Sequence, residues 1–237
     1  MKSNSIYEKM KEIDVELSEH QCNQFLTYYD MLVERNKVMN LTTITEFDEV
    51  VLKHFVDSIS LVKVIDLHKM STLIDIGTGA GFPGIPLKIY RPELQVVLLD
   101  SLNKRIKFLT DVINTLELQS VKVLHGRAED FSRDKEYREK FDLCVSRAVA
   151  NLSTLSEYCL PYVKIGGSFI SYKADKATEE AQQAKNGIFL LGGKIISQTE
   201  FYLPGSNMIR NLIKIEKVSK TSSRYPRKAG IPSKEPL

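Results

Sequence analysis

The 237-residue chain has few of the residues and segments that would reveal its class directly. It contains no tryptophan, and its three cysteines, Cys22, Cys144 and Cys159, lie far apart. No run of about 18 apolar residues occurs, and the first twenty residues are charged and contain no apolar segment. We therefore expect no disulfide framework, no membrane-spanning helix and no secretory signal, and we expect a location in the reducing cytosol.

Histidine is also scarce. The four histidines, His20, His54, His68 and His125, are scattered along the chain, and the cysteines form no C-x-x-C pair. Zinc sites normally combine such residues at short, regular spacings. The sequence therefore predicts no metal site.

Basic residues are concentrated at the C-terminal end. Residues 217–237 contain six basic residues and one acidic residue, a net charge of +5, whereas the preceding 216 residues carry −2. A basic tail on a nearly neutral body is typical of nucleic-acid contact, but a solvated terminus can have the same composition. Charge alone leaves both interpretations open.

The sequence pattern divides the chain into three parts. Residues 1–66 contain no glycine and are predicted to form a helical cap, with a capping box at Ser18 and Gln21 and an amphipathic helix over about residues 46–63. Residues 67–216 are predicted to form the main domain, and residues 217–237 a basic tail.

Short apolar runs alternate with helical patterns in the main domain. The runs TLIDIG and QVVLLD come first, and the second is continuously apolar, as expected of a strand buried on both faces. Three more runs follow, and then two segments around PGSN that predict a closing hairpin. This order predicts an α/β fold with a doubly wound, mostly parallel, Rossmann-like sheet of seven strands and an antiparallel C-terminal hairpin.

The segment DIGTGAGFPG contains two overlapping glycine fingerprints. Gly77, Gly79 and Gly81 fit the G-x-G-x-G loop of methyl-donor sites, whereas Gly79, Gly81 and Gly84 fit the G-x-G-x-x-G loop of dinucleotide sites. In a doubly wound sheet either ligand binds at the carboxyl ends of the strands. The glycines alone do not decide between the two cofactors.

Residues around the loop favour one cofactor. Asp100, followed by Ser101, ends the second strand and would bond ribose hydroxyls in either site. Asp75 lies inside an apolar strand, where it would order the loop or face a ligand cation. Pro83 removes an N–H group that a pyrophosphate would use. Together with the closing hairpin, Asp75 and Pro83 favour S-adenosyl-L-methionine over a dinucleotide.

Later strand ends supply three more candidates. Ala128 and Glu129 follow the third strand, where they would flank an adenine, although Glu129 could instead interact with a helix N-terminus. Arg147 ends the fourth strand, where it would clamp a carboxylate or a phosphate, or form a salt bridge with a helix end. The sequence leaves these alternatives open.

Seven stretches together match one family: MNLTTI, KHFVDSI, DIGTGAGFPGIPL, LLDSLNKRIKFL, GRAED, FDLCVSRAVA and YPRKAGIPSKEPL. The chain resembles the small-subunit ribosomal RNA guanine-N7 methyltransferases, also called the glucose-inhibited division protein B family. The matching stretches run from residue 39 to the C-terminus. The F-P-G-I-P continuation of the loop and the Y-P-R-K-A-G segment are the most specific of them.

The resemblance implies a class I methyltransferase of the bacterial cytosol. It would transfer a methyl group from S-adenosyl-L-methionine to N7 of one guanosine in 16S rRNA, within the small ribosomal subunit or an assembly intermediate. The family's cofactor contacts map onto Gly77, Gly79, Phe82, Asp100, Ala128, Glu129 and Arg147, and Asp75, Gly81 and Ser101 complete the candidate cofactor set. We expect a monomer.

The resemblance also suggests positioning and RNA-binding residues. His54 and Asp57 would lie near the cofactor mouth and, with Arg147, are candidates for positioning; a local surface ion pair is the alternative for the first two. The RNA-binding candidates are Arg224, Tyr225, Arg227, Lys228 and Lys234, whose cations would hold phosphates. Tyr225 would stack on a base or act as a packing anchor.

The implied reaction needs little acid–base chemistry. N7 of guanine carries an in-plane lone pair and no proton, so in-line alignment and electrostatic placement would suffice without a general base. Phe82 would contact the methionine part of the donor. Because N7 faces the deep, narrow major groove of A-form RNA, we expect an unstacked guanosine. A small-molecule or protein methyltransferase and a dinucleotide-binding regulator are the alternative functions.

Overall fold

A computed structural model describes residues 2–147, 150–174 and 176–237. Its centre is a seven-stranded sheet in the order β3-β2-β1-β4-β5-β7-β6. The strands are β1 (Thr72–Ile76), β2 (Gln95–Asp100), β3 (Val121–His125), β4 (Phe141–Arg147), β5 (Val163–Lys173), β6 (Gly193–Tyr202) and β7 (Ile209–Lys217). Strands β1 to β5 pair in parallel, and β7 pairs antiparallel with both β5 and β6. The predicted sheet and closing hairpin are confirmed.

Helices cover the sheet and form the N-terminal cap. The cap contains α1 (Lys2–Lys11), α2 (Glu19–Met39), α3 (Phe47–Val50), a π-helical turn (Val51–Val56), α4 (Asp57–Ile59) and a 3₁₀ turn (Ser60–Lys63). The rest are α5 (Gly84–Tyr90), α6 (Asn103–Thr115), α7 (Ala128–Phe131), α8 (Leu152–Cys159), α9 (Ala177–Leu190) and α10 (Ile231–Lys234), with 3₁₀ turns at Leu67–Lys69 and Leu160–Tyr162. The α/β alternation places the carboxyl ends of β1, β2 and β4 at one edge, as in other doubly wound sheets.

The N-terminal cap is packed against the main domain. The predicted capping box is present, since Gln21 donates its backbone N–H to Ser18 Oγ at 3.2 Å and accepts from the Ser18 N–H at 2.9 Å. The Gln21 amide also donates to the carbonyl oxygens of Ile89 and Tyr90 at the end of α5. Buried cap side chains such as Phe25 and Phe55 share one hydrophobic core with β1, β2 and β4. The cap therefore forms a fixed wall beside the strand ends.

The second predicted cap helix differs from a regular amphipathic helix. Residues 47–63 are helical as expected, but Val51–Val56 form a π-helical turn that includes His54. Apolar periodicity predicts the helix and not this widening, because both forms bury one side of the chain. π-helical turns occur frequently at functional sites.

The C-terminal segment after β7, residues 218–237, runs back over α7 and α8 and is called the strap below. It contains α10 and little other regular structure. Its contacts with the main domain include a hydrogen bond from the Thr154 hydroxyl to the Pro232 carbonyl at 3.0 Å. The strap is thus bound along the surface of the main domain.

Candidate active site

The glycine loop follows β1 and has a strongly constrained backbone. Gly77, Gly79 and Gly81 have φ values of 71°, 63° and 104°, a region that side chains other than glycine rarely adopt. A Cβ at Gly79 would meet nothing closer than 4.0 Å, so there is space for a side chain there. The positive φ of the Gly79 backbone is therefore what requires glycine. A Cβ at Gly81 would lie 2.6 Å from Tyr28 Oη, so Gly81 allows the cap to approach the loop.

Asp75 organises this loop from below. The side chain is completely buried, and its Oδ2 accepts hydrogen bonds from Thr78 Oγ1 at 2.7 Å and from Gly84 N at 2.8 Å. Its Oδ1 has no partner within the described part of the chain. Burial raises the pKa of Asp75 to about 7. Of the two roles predicted for Asp75, this geometry favours ordering of the loop over contact with a ligand.

Asp100 connects the ends of β2 and the loop. Its Oδ2 accepts from Gly79 N at 2.9 Å and pairs with Arg105 at 3.1 Å, and its Oδ1 accepts from Leu102 N at 2.9 Å. A carboxylate offers about four acceptor positions, so about one remains for a ligand hydroxyl. Asp100 is only 2% exposed and that exposure faces the cleft, which fits the predicted bond to a ribose.

A cleft with a volume of about 690 Å³ opens above the glycine loop. Ligand clefts of proteins commonly reach several hundred Å³. Its lining residues come from the cap, the glycine loop and the ends of the strands: Leu41, Thr42, Ile44, Lys53, His54, Asp57, Gly77, Thr78, Gly79, Ala80, Phe82, Asp100, Ser101, Arg105, Arg147, Tyr172, Lys173, Ala174 and Arg210. The predicted residues His54, Asp57, Gly77, Gly79, Phe82, Asp100, Ser101 and Arg147 are brought together here. The cleft lining does not include Asp75, Gly81, Ala128 or Glu129.

Phe82 and His54 form an aromatic wall in this cleft. Their rings stack with centroids 4.6 Å apart, and the guanidinium carbon of Arg147 lies 5.1 Å from the centre of the Phe82 ring. His54 Nε2 is 2.9 Å from Thr42 Oγ1. Burial and the nearby Arg147 lower the pKa of His54 to about 3, so the imidazole is neutral at pH 7.

Asp57 joins two arginines at the back of the cleft. Arg147 Nη1 donates to its Oδ2 at 2.9 Å, and Arg210 Nε donates to its Oδ1 at 3.1 Å. Asp57 therefore does not form the local ion pair with His54 that was the alternative prediction. Arg147 also donates to the Ser58 hydroxyl at 3.3 Å. Its contacts include the salt bridge to a cap helix, and its predicted clamp on a ligand anion stays a prediction.

Ala128 and Glu129 begin α7 outside the cleft. The Ala128 carbonyl accepts from the Tyr162 hydroxyl at 2.6 Å. The Glu129 side chain is 5% exposed, and its Oε1 accepts from Gly230 N in the strap at 3.0 Å. Glu129 thus has a structural partner in the strap, and its expected place beside an adenine stays a prediction.

The strap uses part of its charge internally, and Arg227 of the predicted RNA-binding set takes part in this. Its guanidinium forms hydrogen bonds to Glu157 in α8, the shortest from Nη2 at 2.7 Å, and Glu157 is completely buried. Lys217, counted in the basic tail, is also fully buried and pairs with Glu139 at 3.2 Å. Each of these cations neutralises a carboxylate of the protein, and the buried Lys217 does not reach the surface. Arg227 is a quarter exposed, and its contact with RNA stays a prediction.

The other predicted RNA-binding residues have mixed surroundings. Arg224, Lys228 and Lys234 are exposed, as phosphate contacts require. Tyr225 is partly buried and packs against the hydrophobic cluster beside α8, which is the packing-anchor alternative. The strap therefore contributes three exposed cations of the predicted set.

Sequence reasoning missed four cations of the cleft: Lys53, Arg105, Lys173 and Arg210. Lys173 is the last residue of β5, so the strand-end argument that found Arg147 could have found it. Arg210 lies at the start of β7, and only the antiparallel pairing of β7 with β5 brings it to the same edge. With Arg147, five basic residues line the cleft, and they pair with four carboxylates, Asp57, Asp100, Glu49 and Glu180. One positive charge remains in excess, which is compatible with an anionic substrate.

Residues 2–147, 150–174 and 176–237 contain neither a membrane-crossing helix nor a cluster of metal ligands. No helix is long and apolar enough to cross a membrane. No group of three or more histidine, cysteine, aspartate or glutamate side chains is placed to hold a metal ion.

Solved structures with the same fold define the class. The chain is similar to a SAM-dependent methyltransferase from Aquifex aeolicus, with a TM-score of 0.54, 19% identity, and coverage of 71% of this chain and 93% of that one. It is similar also to TYW2 of Pyrococcus horikoshii, solved in complex with MeSAdo, with a TM-score of 0.53, 14% identity, and coverage of 69% and 62%. The fold of the chain is that of the class I methyltransferases.

The sequence comparisons identify the family within this class. The family model of rRNA small subunit methyltransferase G matches residues 21–219. The chain is 52% identical over 238 residues to the ribosomal RNA small subunit methyltransferase G of Lachnoclostridium phytofermentans, covering 100% of this chain and 98% of the relative. The chain belongs to this family and is an rRNA methyltransferase, so the predicted resemblance is confirmed.

Proposed function

We propose that the enzyme transfers a methyl group from S-adenosyl-L-methionine to N7 of one guanosine in 16S rRNA. The observation that carries this proposal is the combination, in one cleft, of a glycine loop tied to Asp100 and a basic lining. The first part suits a nucleoside-containing donor, and the second suits a substrate with phosphates. We place the reaction in the bacterial cytosol, on the small ribosomal subunit or an assembly intermediate, and propose that the enzyme acts as a monomer.

The residues present fit the donor. Asp100 offers an acceptor for ribose hydroxyls, and the conformations of Gly77 and Gly79 leave the backbone open to close approach. Phe82 lines the cleft, where its ring would contact the methionine part of the donor. When bound, the donor supplies a methyl group on a positively charged sulfur.

The cleft supports a reaction without a general base. The lowered pKa of His54 makes its neutral imidazole a poor proton acceptor, and both oxygens of Asp57 accept from arginines. N7 of guanine has a lone pair and no proton to lose, so no base is needed. We propose that the chain contributes by aligning the lone pair with the methyl group and by electrostatic placement. His54, Asp57 and Arg147 would act as positioning residues, because they hold one another and Phe82.

The RNA side of the site combines the basic cleft with the exposed cations of the strap, Arg224, Lys228 and Lys234. Contacts of these cations with phosphates would position the RNA without reading its sequence. Because N7 faces a deep, narrow groove in helical RNA, we propose that the guanosine is presented unstacked.

The test is the position of the methyl group. We expect mass spectrometry of 16S rRNA from cells with the gene to show one 7-methylguanosine that is missing from cells without it. In vitro, a 16S rRNA transcript made with 7-deazaguanosine has no N7 and should accept no methyl group, whereas the ordinary transcript or its subunit should. The same 7-methylguanosine in both cell types, or labelled methyl transfer to the deaza transcript, would contradict the proposal.

A further inference from the structure

The strap is held to the main domain by several hydrogen bonds and by an ion pair. Arg138 donates to three carbonyl oxygens of the strap at 2.9 to 3.2 Å. Glu157 accepts both the backbone N–H of Arg227, at 2.6 Å, and its guanidinium. The anchoring residues belong to α8 and to the connection after α7. The strap therefore forms part of the surface that supports α7.

One of these bonds connects the strap with the edge of the cleft. Gly230 N donates to Glu129 Oε1 at 3.0 Å, and Glu129 is the second residue of α7. Just before α7, Gly126 N donates to the carbonyl of Asp100 at 3.1 Å. Asp100 in turn accepts from Gly79 N in the glycine loop. The first turn of α7 thus lies between the strap and the acid that is proposed to bind the donor's ribose.

The bond to Gly230 matters because Glu129 is nearly buried. If the strap detached, this carboxylate would lose the partner that the structure gives it and would become open to water. The first turn of α7, a helix of only four residues, would then lose a hydrogen bond that holds it in place. A shift there would disturb the strand end beside Asp100.

We propose that the strap is a positioning element of the methyl-donor site and that Glu129 is the residue through which it acts. The bound strap fixes the first turn of α7 beside the region expected to receive the adenine of the donor. Glu129 is in this sense a positioning residue, and its carboxylate contacts the strap rather than the donor. The inference rests on the proposed donor site and adds a part of the chain that lies outside the cleft.

The experiment measures donor affinity by calorimetry and strap attachment by trypsin cleavage at the exposed Arg224 and Lys228, in the full-length chain. Glu129→Ala removes the link, whereas Glu129→Gln keeps an acceptor oxygen for Gly230. The double variant Glu157→Gln, Arg227→Gln weakens the strap at a point remote from the cleft without leaving a buried charge unpaired. Glu136→Ala is the matched control, because it removes an exposed carboxylate from the same connection.

We expect Glu129→Ala and the double variant to weaken S-adenosyl-L-methionine binding by roughly five- to tenfold, a usual size for coupling between sites. Trypsin should cut the strap faster in both. Glu129→Gln should stay within about twofold of the unmodified protein, because a neutral acceptor retains most of a hydrogen bond. The control should leave affinity and cleavage unchanged.

Three results would overturn the inference. The strap of the double variant could become sensitive to trypsin while the donor affinity stays that of the unmodified protein. Only the Glu129 variants could weaken binding, which would mean that Glu129 contacts the donor itself. Glu129→Ala could weaken donor binding while its strap stays resistant to trypsin, which would mean that Glu129 acts on the donor site without the strap. Failure of the unmodified protein to bind the donor is a separate result that contradicts the proposed function.

Discussion

The glycine loop and the strap each surround a completely buried carboxylate, but they satisfy it in different ways. In the loop, Asp75 accepts hydrogen bonds from two neutral donors, Thr78 and Gly84, and one of its oxygens has no partner within the described residues. Beneath the strap, Glu157 of α8 accepts hydrogen bonds from the backbone N–H and the guanidinium of Arg227. Burial raises the pKa of Asp75 although both hydrogen bonds lower it, whereas Glu157 is held in an ion pair.

The difference shows what a charged residue in the sequence can and cannot indicate. The position of Asp75 in the sequence is informative, because an acid inside an apolar strand just before three glycines must have a local partner. Arg227 lies in a run of cations, and its partner comes from a helix 70 residues earlier in the chain. Composition alone therefore suggested a phosphate contact where the structure has an internal ion pair.

The largest expected effect comes from breaking the ion pair of the strap. Arg227→Ala leaves the Glu157 carboxylate buried without its cation, so we expect the free energy of unfolding to fall by about 3–5 kcal/mol. Urea unfolding followed by circular dichroism measures this change. Lys228→Ala is the control, because Lys228 is the exposed neighbour and surface substitutions usually change stability by less than about 0.5 kcal/mol. Equal, small losses in both variants would mean that Arg227 is a surface cation after all.

The second expected effect is a loss of donor binding when the backbone conformation of the glycine loop is disturbed. Gly79→Val should weaken S-adenosyl-L-methionine binding by about 100-fold or more, because backbone strain of about 1–3 kcal/mol at positive φ is joined by a side chain that projects toward the cleft. Gly166→Val is the matched control. Gly166 also has a positive φ, of 82°, and open space around it, but it lies outside the cleft lining. Calorimetry at equal folded fraction should show lost binding for Gly79→Val alone; the same loss in both variants would attribute it to general instability.

Sequence patterns predicted the fold and the loop better than the rest of the site. The alternation of strands and helices, the hairpin and the Ser18–Gln21 capping box depend on short-range patterns, and the structure has all three. The π-helical turn around His54 and the role of Arg210 could not be predicted in the same way. The first does not change the apolar pattern, and the second depends on how β7 pairs with β5.

The same limit explains Glu129 and Arg147. Both lie at strand ends, where the sequence left a ligand contact and a structural contact open. The deciding partners are Gly230 and Asp57, which are 101 and 90 positions away along the chain. Such distant partners become visible only when the tertiary structure brings them together.

The last expected effect, which is small for each pH unit, is a pH dependence that belongs to the loop alone. The pKa of Asp75 is about 7 in the folded protein, against 3.8 for an ordinary aspartate, so the folded state binds more protons than the unfolded state between these values. Stability should therefore fall as the pH rises from about 4 to about 7, by about 1 kcal/mol per pH unit from this group, and it should not change further above pH 7. Asp75→Asn keeps an acceptor for Thr78 and Gly84 and removes the titration. The measurement is the difference in free energy of unfolding by urea between the two proteins at each pH. His54 contributes with the opposite sign, but its contribution is present in both proteins and cancels in the difference. Identical pH curves would show that Asp75 is ionised throughout this range and that its buried carboxylate is as well satisfied as that of Glu157.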